Sequence, residues 1–312
     1  MQQTSKIVIC GGAGLVGQNL VSCLESHGCG NVLVIDKSAA NLAILKRLHP
    51  RVSVLCADLA QPGDWYRHFD GAENIVMLQA QIGATNSDPF VRNNIDSTRN
   101  VLDAIQGFQV PYTVHVSSSV VNSVANDLYT TTKREQERLV TESGIPHVVL
   151  RPTLMFGWFD RKHLGWLSRF MRRVPVFPIP GDGRYLRQPL YVGDFCEIIV
   201  SCLSSRPLQT FDITGLERID YIDMIREIRK AVGARCAIVR IPYGLFSLLL
   251  RLWGVLDRNP PFTTEQLAAL IAGDVFDVID WEARFDVKAT PFTIAIDQTF
   301  RDPRFSEIVL DF

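Results

Sequence analysis

The stretch that most constrains this chain is Lys6–Gly17, KIVICGGAGLVG. Lys6 to Cys10 is a short β-branched apolar run, the composition of a strand buried on both faces. Gly11, Gly14 and Gly17 follow at three-residue spacing, and Leu20, Val21 and Leu24 then recur at helical spacing within Gln18–Ser26. Strand, glycine turn and helix in this order place the backbone N–H groups around Gly14, Leu15, Val16 and Gly17 at a helix N-terminus. There the macrodipole favours negative charge and no glycine Cβ blocks a pyrophosphate. A second apolar run, Asn31–Ile35, ends in Asp36, nineteen positions after Gly17, which sets a carboxylate at the tip of the next strand, within reach of adenosine ribose hydroxyls. A tight turn would explain the glycines alone; turn and acid together predict a dinucleotide site. Asp36 repels a 2′-phosphate and so favours NAD over NADP, although Lys37 offsets part of that charge.

The fold this predicts is α/β, a mostly parallel doubly wound sheet with the cofactor across its switch point. At 312 residues the chain can bury a substantial core, and its formal net charge of −1 excludes a general nucleic-acid binder. The seven cysteines are scattered without a CxxC pair, which reads as free thiols in a reducing compartment and no metal site. The first strand follows the N-terminus at once, with no room for a signal peptide. The longest apolar stretch, Gly244–Leu250, falls well short of a membrane span. The expectation is a soluble cytoplasmic protein.

Three further segments point into the same cleft. Val52–Cys56 reads as a strand that delivers Asp58 and Leu59 to the adenine end, with a capping turn as the alternative for Asp58. Asn74–Leu78 reads as a strand that delivers Gln79, Ala80 and Gln81. Asn93–Gln106 reads as an amphipathic helix in which Asn94 bonds backbone in the core. Val110–Ser119 is a strand ending in three serines, followed by Tyr129-Thr-Thr-Thr-Lys133, whose four-residue separation puts Tyr129 and Lys133 on one helix face. A tyrosine working near neutrality needs its pKa lowered by roughly three units, about 4 kcal/mol. An ammonium about 5 Å away supplies on the order of 3 kcal/mol at an effective dielectric near 20.

Glycine turn, acid, serine strand and YxxxK occur in the same order in the short-chain dehydrogenase/reductase superfamily. Leu150-Arg151-Pro152, Phe156-Gly157 and Arg187–Asp194 resemble the later blocks of its extended branch, the NAD-dependent epimerase/dehydratase family. The likeness runs from Lys6 to about Leu203. It implies a Rossmann-like domain over 1–176, with 190–215 returning to it, and a small C-terminal substrate domain from 177–189 and 216–312. By the match Tyr129 is the catalytic acid/base, Lys133 binds the nicotinamide ribose and depresses the tyrosine pKa, and Ser119 hydrogen-bonds the reacting oxygen, with Ser117 on the same strand face as the fallback. Gln79, Ala80 and Pro152 then fall on the cofactor, Gln81 and Arg187 on the substrate, Arg187 gripping a diphosphate. The helices Asn93–Gln106 and Tyr129–Glu142 imply a homodimer.

Departures from the family pattern narrow the reaction. The Ser119–Tyr129 connection is short, Leu154 stands where sugar-nucleotide members carry asparagine, and Val120-Val121 replaces the acids used for elimination or decarboxylation. The resulting expectation is an NAD-dependent nucleotide-sugar 4-epimerase or 4-ketoreductase. The alternatives are a dehydrogenase of a steroid-like or other apolar alcohol and a non-catalytic dinucleotide-binding module.

Beyond the likeness, Asp194 reads as the cap of helix Phe195–Leu203, Phe211–Thr214 as a strand returning to the main sheet, and Asp220 as the cap of a helix ending at Gly233. Tyr243–Leu256 is apolar enough to pack under the substrate domain, a lipid-facing helix being the alternative. Thr263 and Gln266 fit a capping box, and Trp281–Phe312 shows no clear period.

Overall fold

The computed structural model describes residues 5–84, 86–256, 267, 270–271, 273 and 275–311. The expected capping box at Thr263 and Gln266 lies outside them. A seven-stranded, wholly parallel sheet has the order β11-β6-β5-β4-β1-β2-β3. Its strands are β1 (Ile7–Cys10), β2 (Val32–Asp36), β3 (Ser53–Cys56), β4 (Asn74–Met77), β5 (Tyr112–Val116), β6 (His147–Pro152) and β11 (Thr210–Ile213). β11 pairs with β6, so the return to the main sheet expected for Phe211–Thr214 is observed. The order reverses at β1, between β2 and β4, which is the crevice where doubly wound sheets take their ligand.

The strand alternation sorts side chains into two layers. Ile7 and Ile9 of β1 join one core with Leu20, Val21 and Leu24 of helix α1 (Leu15–Ser26) and Phe195 and Ile199 of α7 (Val192–Ser205). Val8 and Cys10 join the opposite core with Val101, Leu102 and Ile105 of α4 (Ser97–Gln106) and Val140 of α5 (Leu128–Glu142). α2 (Ala39–Leu48) adds Leu42 and Leu45 to the first core, and the single turn α3 (Asp88–Phe90) leads into a π-helical segment, Val91–Asp96.

A second core gathers Phe156 of the two-residue strand β7 (Met155–Phe156), Leu164 and Met171 of α6 (Leu164–Arg173), Phe177 and Ile179 of β8 (Val176–Pro180) and Ile222, Ile225 and Ile228 of α8 (Tyr221–Ala231). Short pairs frame it: β7 with β10 (Leu190–Tyr191), β9 (Leu186–Arg187) with β12 (Ile219–Asp220), and β8 with β13 (Ala237–Ile241). This core begins before residue 177, because α6 packs here. Conversely Trp281 and Phe285 of α10 (Trp281–Phe285) return to the first core, Trp281 donating its indole N–H to the Thr214 carbonyl at 2.9 Å. Helix α11 (Phe292–Arg301) packs Phe292, Ala295 and Ile296 into the second core, and the chain end closes on α2 through Asp311 and Asn41, whose backbone and side-chain amides exchange two hydrogen bonds of 2.7 and 2.8 Å. The aperiodic tail is therefore a strap across both cores, held by isolated anchors rather than by a repeating face.

Two capping expectations change. α7 begins at Val192, so Asp194 lies inside its first turn and accepts from the backbone N–H and hydroxyl of Thr290 at 2.9 and 2.6 Å. Asp220 occupies the N-cap of α8 without a side-chain hydrogen bond.

Candidate active site

The glycine turn joins β1 to α1 at the switch point. Gly11 has φ +70°, and a Cβ there would come within 2.5 Å of the Gln79 Cα; a Cβ on Gly17 would come within 2.1 Å of the Gly12 carbonyl oxygen. Only glycine lets turn, helix and the end of β4 approach so closely. α1 carries no side-chain cap at Gly14, so its first N–H groups face the crevice with no competing side chain. Asp36 is fixed beside them: its carboxylate accepts from the Ala13 and Ser38 backbone N–H groups, both at 2.9 Å. Lys37 is turned aside, its Nζ donating to the Asn93 Oδ1 at 2.9 Å, so it leaves the Asp36 charge unopposed. These features fit a dinucleotide: a cradle that a Cβ would fill, an uncapped helix N-terminus, and a Gln79 side chain that is buried with both amide atoms unpartnered.

The remaining cofactor-side residues divide. Asp58 accepts from the Ala60 N–H at 3.0 Å and pairs with Arg92 at 2.7 Å, the capping-turn alternative. Leu59 turns its side chain into the second layer of the main core, so only its backbone can face a ligand. Ala80 is exposed, and Pro152 ends β6 buried against Ile213. Gln81, expected on the substrate, is instead clamped from the π-helical segment. Its N–H donates to the Asn94 Oδ1 at 2.6 Å, and its Oε1 accepts from Asn93 at 2.8 Å. Asn94 bonds backbone in the core, as expected. A mid-helix π segment is a frequent accompaniment of functional sites, and this one fixes the loop after β4.

On the other side of the crevice β5 ends in the three serines and α5 carries the YxxxK pair. Ser118 is the serine that acts on Tyr129, its hydroxyl drawing the phenol's pKa down, while its Oγ accepts from the Val120 N–H at 3.4 Å. Ser119, the serine expected at the reacting oxygen, opens a short 3-10 turn, Ser119–Asn122. Ser117 is committed elsewhere, donating to Glu137 at 2.6 Å, and Glu137 also binds Arg151. Glu137, one turn beyond Lys133 on α5, ties this helix to the end of β5 and to β6; its i+4 spacing was the available signal.

Lys133 is fully buried. Its Nζ donates to the Val116 carbonyl at 3.1 Å and to the Gln136 Oε1, while the Gln136 Nε2 donates to the Gln79 carbonyl at 3.1 Å and the Thr98 hydroxyl at 2.9 Å. This buried relay links the lysine to the cofactor-side backbone at Gln79. Burial pushes the Lys133 ammonium down to about 7, against the pull of Glu137. Burial also raises the Tyr129 pKa; the Ser118 hydrogen bond opposes that shift and Asp127 reinforces it. The expectation that Lys133 depresses the tyrosine is therefore not met in this geometry, because its ammonium points to Val116 and Gln136. The buried His115, on β5, has its pKa lowered by burial and by Lys133, and both ring nitrogens lack partners.

Arg187 lies at the wall of the second core, its charge acting on the buried, stacked rings of Tyr185 and Tyr221, whose centroids are 5.1 Å apart. The Tyr185 hydroxyl is buried and unpartnered. Leu154 packs against the same core. Replacement of the hydroxyl that meets Tyr129 should separate the serines: Ser118→Ala is expected to lower kcat by about a hundredfold, and Ser119→Ala to leave it within about twofold, in steady-state assays of both variants.

Among curated relatives, the chain is 24% identical over 264 residues to a ceramide reductase of Caulobacter vibrioides, covering 81% of this chain and 80% of the relative. It is 26% identical over 273 residues to a 3 beta-hydroxysteroid dehydrogenase/Delta 5-->4-isomerase of Mycobacterium tuberculosis, covering 77% and 72%. Among solved structures, a UDP-glucuronic acid 4-epimerase from Bacillus cereus in complex with NAD superposes with a TM-score of 0.71 at 20% identity, covering 94% and 95%. The model of the NAD dependent epimerase/dehydratase family matches residues 7–213, two-thirds of the chain and every residue of the glycine turn, serine strand and YxxxK helix, and the chain belongs to that family.

Proposed function

We propose that this enzyme uses NAD to interconvert a ketone and a secondary alcohol on an apolar, lipid-like substrate. The observation that carries the chemistry is Tyr129 with Lys133 one turn away on α5, beside the serines that follow β5 and across the crevice from the glycine turn. Bound nicotinamide would supply or accept the hydride. Ser118 and Tyr129 would hold the reacting oxygen, and Tyr129 would exchange its proton with it. Asp36, anchored by two backbone N–H groups with Lys37 turned away, supports NAD over NADP. The apolar substrate class is supported by Leu154 and by relatives named for ceramide and steroid chemistry. It reverses the preference read from the sequence. A nucleotide sugar remains the second reading, favoured by Arg187 beside Tyr185 and Tyr221.

The raised Tyr129 pKa sets the direction of pH dependence. A phenol that stays protonated through neutrality is ready to donate, so ketone reduction is expected to be flat between about pH 6 and 8. Alcohol oxidation requires the phenolate and is expected to climb about tenfold per pH unit over the same range. Initial rates in both directions, with a 3-ketosteroid, a long-chain ketone and a UDP-hexose as substrates, test both statements. Turnover of the UDP-hexose alone would transfer the proposal to the second reading, and a reduction rate rising with pH would overturn the role given to the neutral phenol.

A further inference from the structure

Helix α9 (Tyr243–Leu256) leaves β13 through Pro242 and displays apolar side chains to solvent. Leu245, Leu248, Leu249 and Leu252 are 50%, 52%, 48% and 55% exposed, whereas Phe246, Ser247 and Leu250 are half-buried. At about 100° per residue the four exposed leucines fall within an arc of about 100°, a continuous stripe, and the half-buried residues occupy the opposite side. Solvent-exposed large apolar groups are ordinary singly; four on one face mark a surface that meets something apolar. At 14 residues the helix is too short to cross a bilayer, and no helix among the described residues is long and apolar enough to do so.

The chain that leads into this stripe is basic. From Tyr221 to Leu252 the chain carries six basic residues (Arg226, Arg229, Lys230, Arg235, Arg240, Arg251) against two acidic ones (Asp223, Glu227), a local +4 in a chain of net −1. Three of the arginines, Arg226, Arg229 and Arg240, line an open cleft of about 570 Å³ between α8 and β13, together with Ile222, Ile238 and Val239. Arg240 has no acidic partner among the described residues, and it precedes α9 by only two residues. An apolar stripe next to a basic, partly apolar cleft is the arrangement by which an interfacial helix lies in the plane of an anionic membrane: leucines enter the acyl boundary and guanidinium groups take phosphate headgroups.

We propose that α9 and the Arg226–Arg229–Arg240 cleft dock this enzyme on an anionic lipid surface. The inference goes beyond the substrate reading and does not depend on it, because it stands on the helix face and the arginines. Vesicle binding and ketone reduction can therefore fail separately.

The test is co-sedimentation of the full chain with phosphatidylcholine vesicles, with and without phosphatidylglycerol, at low and high salt. Binding is expected to the anionic vesicles and to weaken with salt. Leu248→Ser/Leu252→Ser should reduce it by about tenfold or more, and Arg226→Gln/Arg240→Gln by about tenfold, with NAD affinity unchanged in both as the check on folding. No binding to either vesicle, or binding indifferent to both double substitutions, overturns the proposal. So does a leucine variant that converts a dimer to a monomer without changing sedimentation, which would assign the stripe to a second copy of the chain.

Discussion

Tyr129→Phe is expected to abolish turnover, lowering kcat by about a thousandfold or more while leaving NAD affinity within about twofold. The substitution removes one oxygen, and that oxygen is the atom Ser118 meets. A ketone receiving hydride develops negative charge on oxygen, and a positioned proton donor is worth about a hundredfold to ten-thousandfold in rate. The rest of the residue's environment stays: Thr130 keeps its cap from Asp127 at 2.9 Å, and Lys133 keeps Val116 and Gln136. Calorimetric titration with NAD and steady-state kinetics on the same preparation separate the two quantities. A variant that kept turnover would mean that the crevice binds a dinucleotide without using this tyrosine, as in the non-catalytic alternative.

Gly17→Ala is the second large effect, and it acts on binding and stability together. The new methyl would sit 2.1 Å from the Gly12 carbonyl oxygen, so α1 must move away from the turn that it closes. Overpacking of this kind costs about 1–3 kcal/mol, a fall in Tm of several degrees for a chain of this size. The same displacement takes the uncapped N–H groups of α1 out of line, and NAD affinity is expected to fall by about tenfold or more. Gly30→Ala is the matched control, because a Cβ there meets nothing within 4 Å and should change stability by less than about 0.5 kcal/mol. Thermal melts and NAD titrations of the pair report both consequences.

Six of the seven strands of the main sheet were legible because each is a short run followed by a turn or helix with its own spacing; β6 was met only as the Leu150-Arg151-Pro152 block and not read as a strand. The glycine turn and Asp36 could be placed from numbers alone, since both are backbone-geometry requirements. The end of the serine strand was not, because a run of three identical residues cannot state where the strand stops and the 3-10 turn begins; the chain leaves β5 at Val116, and the turn begins at Ser119. Gln136 was also invisible: its role exists only because α5 packs against the end of β4 and its amide meets the Gln79 carbonyl. Burial of Lys133 reversed an electrostatic expectation drawn from spacing, since helical proximity fixes the Cα positions and not the direction of a long flexible side chain. For Tyr243–Leu256 composition gave the helix, while its unpartnered leucine face depends on what the rest of the chain leaves uncovered. The tail defied periodicity because it binds through scattered anchors, Trp281, Phe292 and Asp311, on two different cores.

In the proposed reaction Ser118, Tyr129 and Lys133 serve hydride transfer between NAD and a carbonyl carbon of an apolar substrate. The decisive experiment is incubation with NADH carrying deuterium at both nicotinamide C4 positions and a 3-ketosteroid or long-chain ketone, followed by mass spectrometry of the product. The expected product is an alcohol carrying one deuterium at the former carbonyl carbon, formed by the wild type and absent with Tyr129→Phe. Unlabelled product, or labelled product formed equally well by Tyr129→Phe, would contradict it.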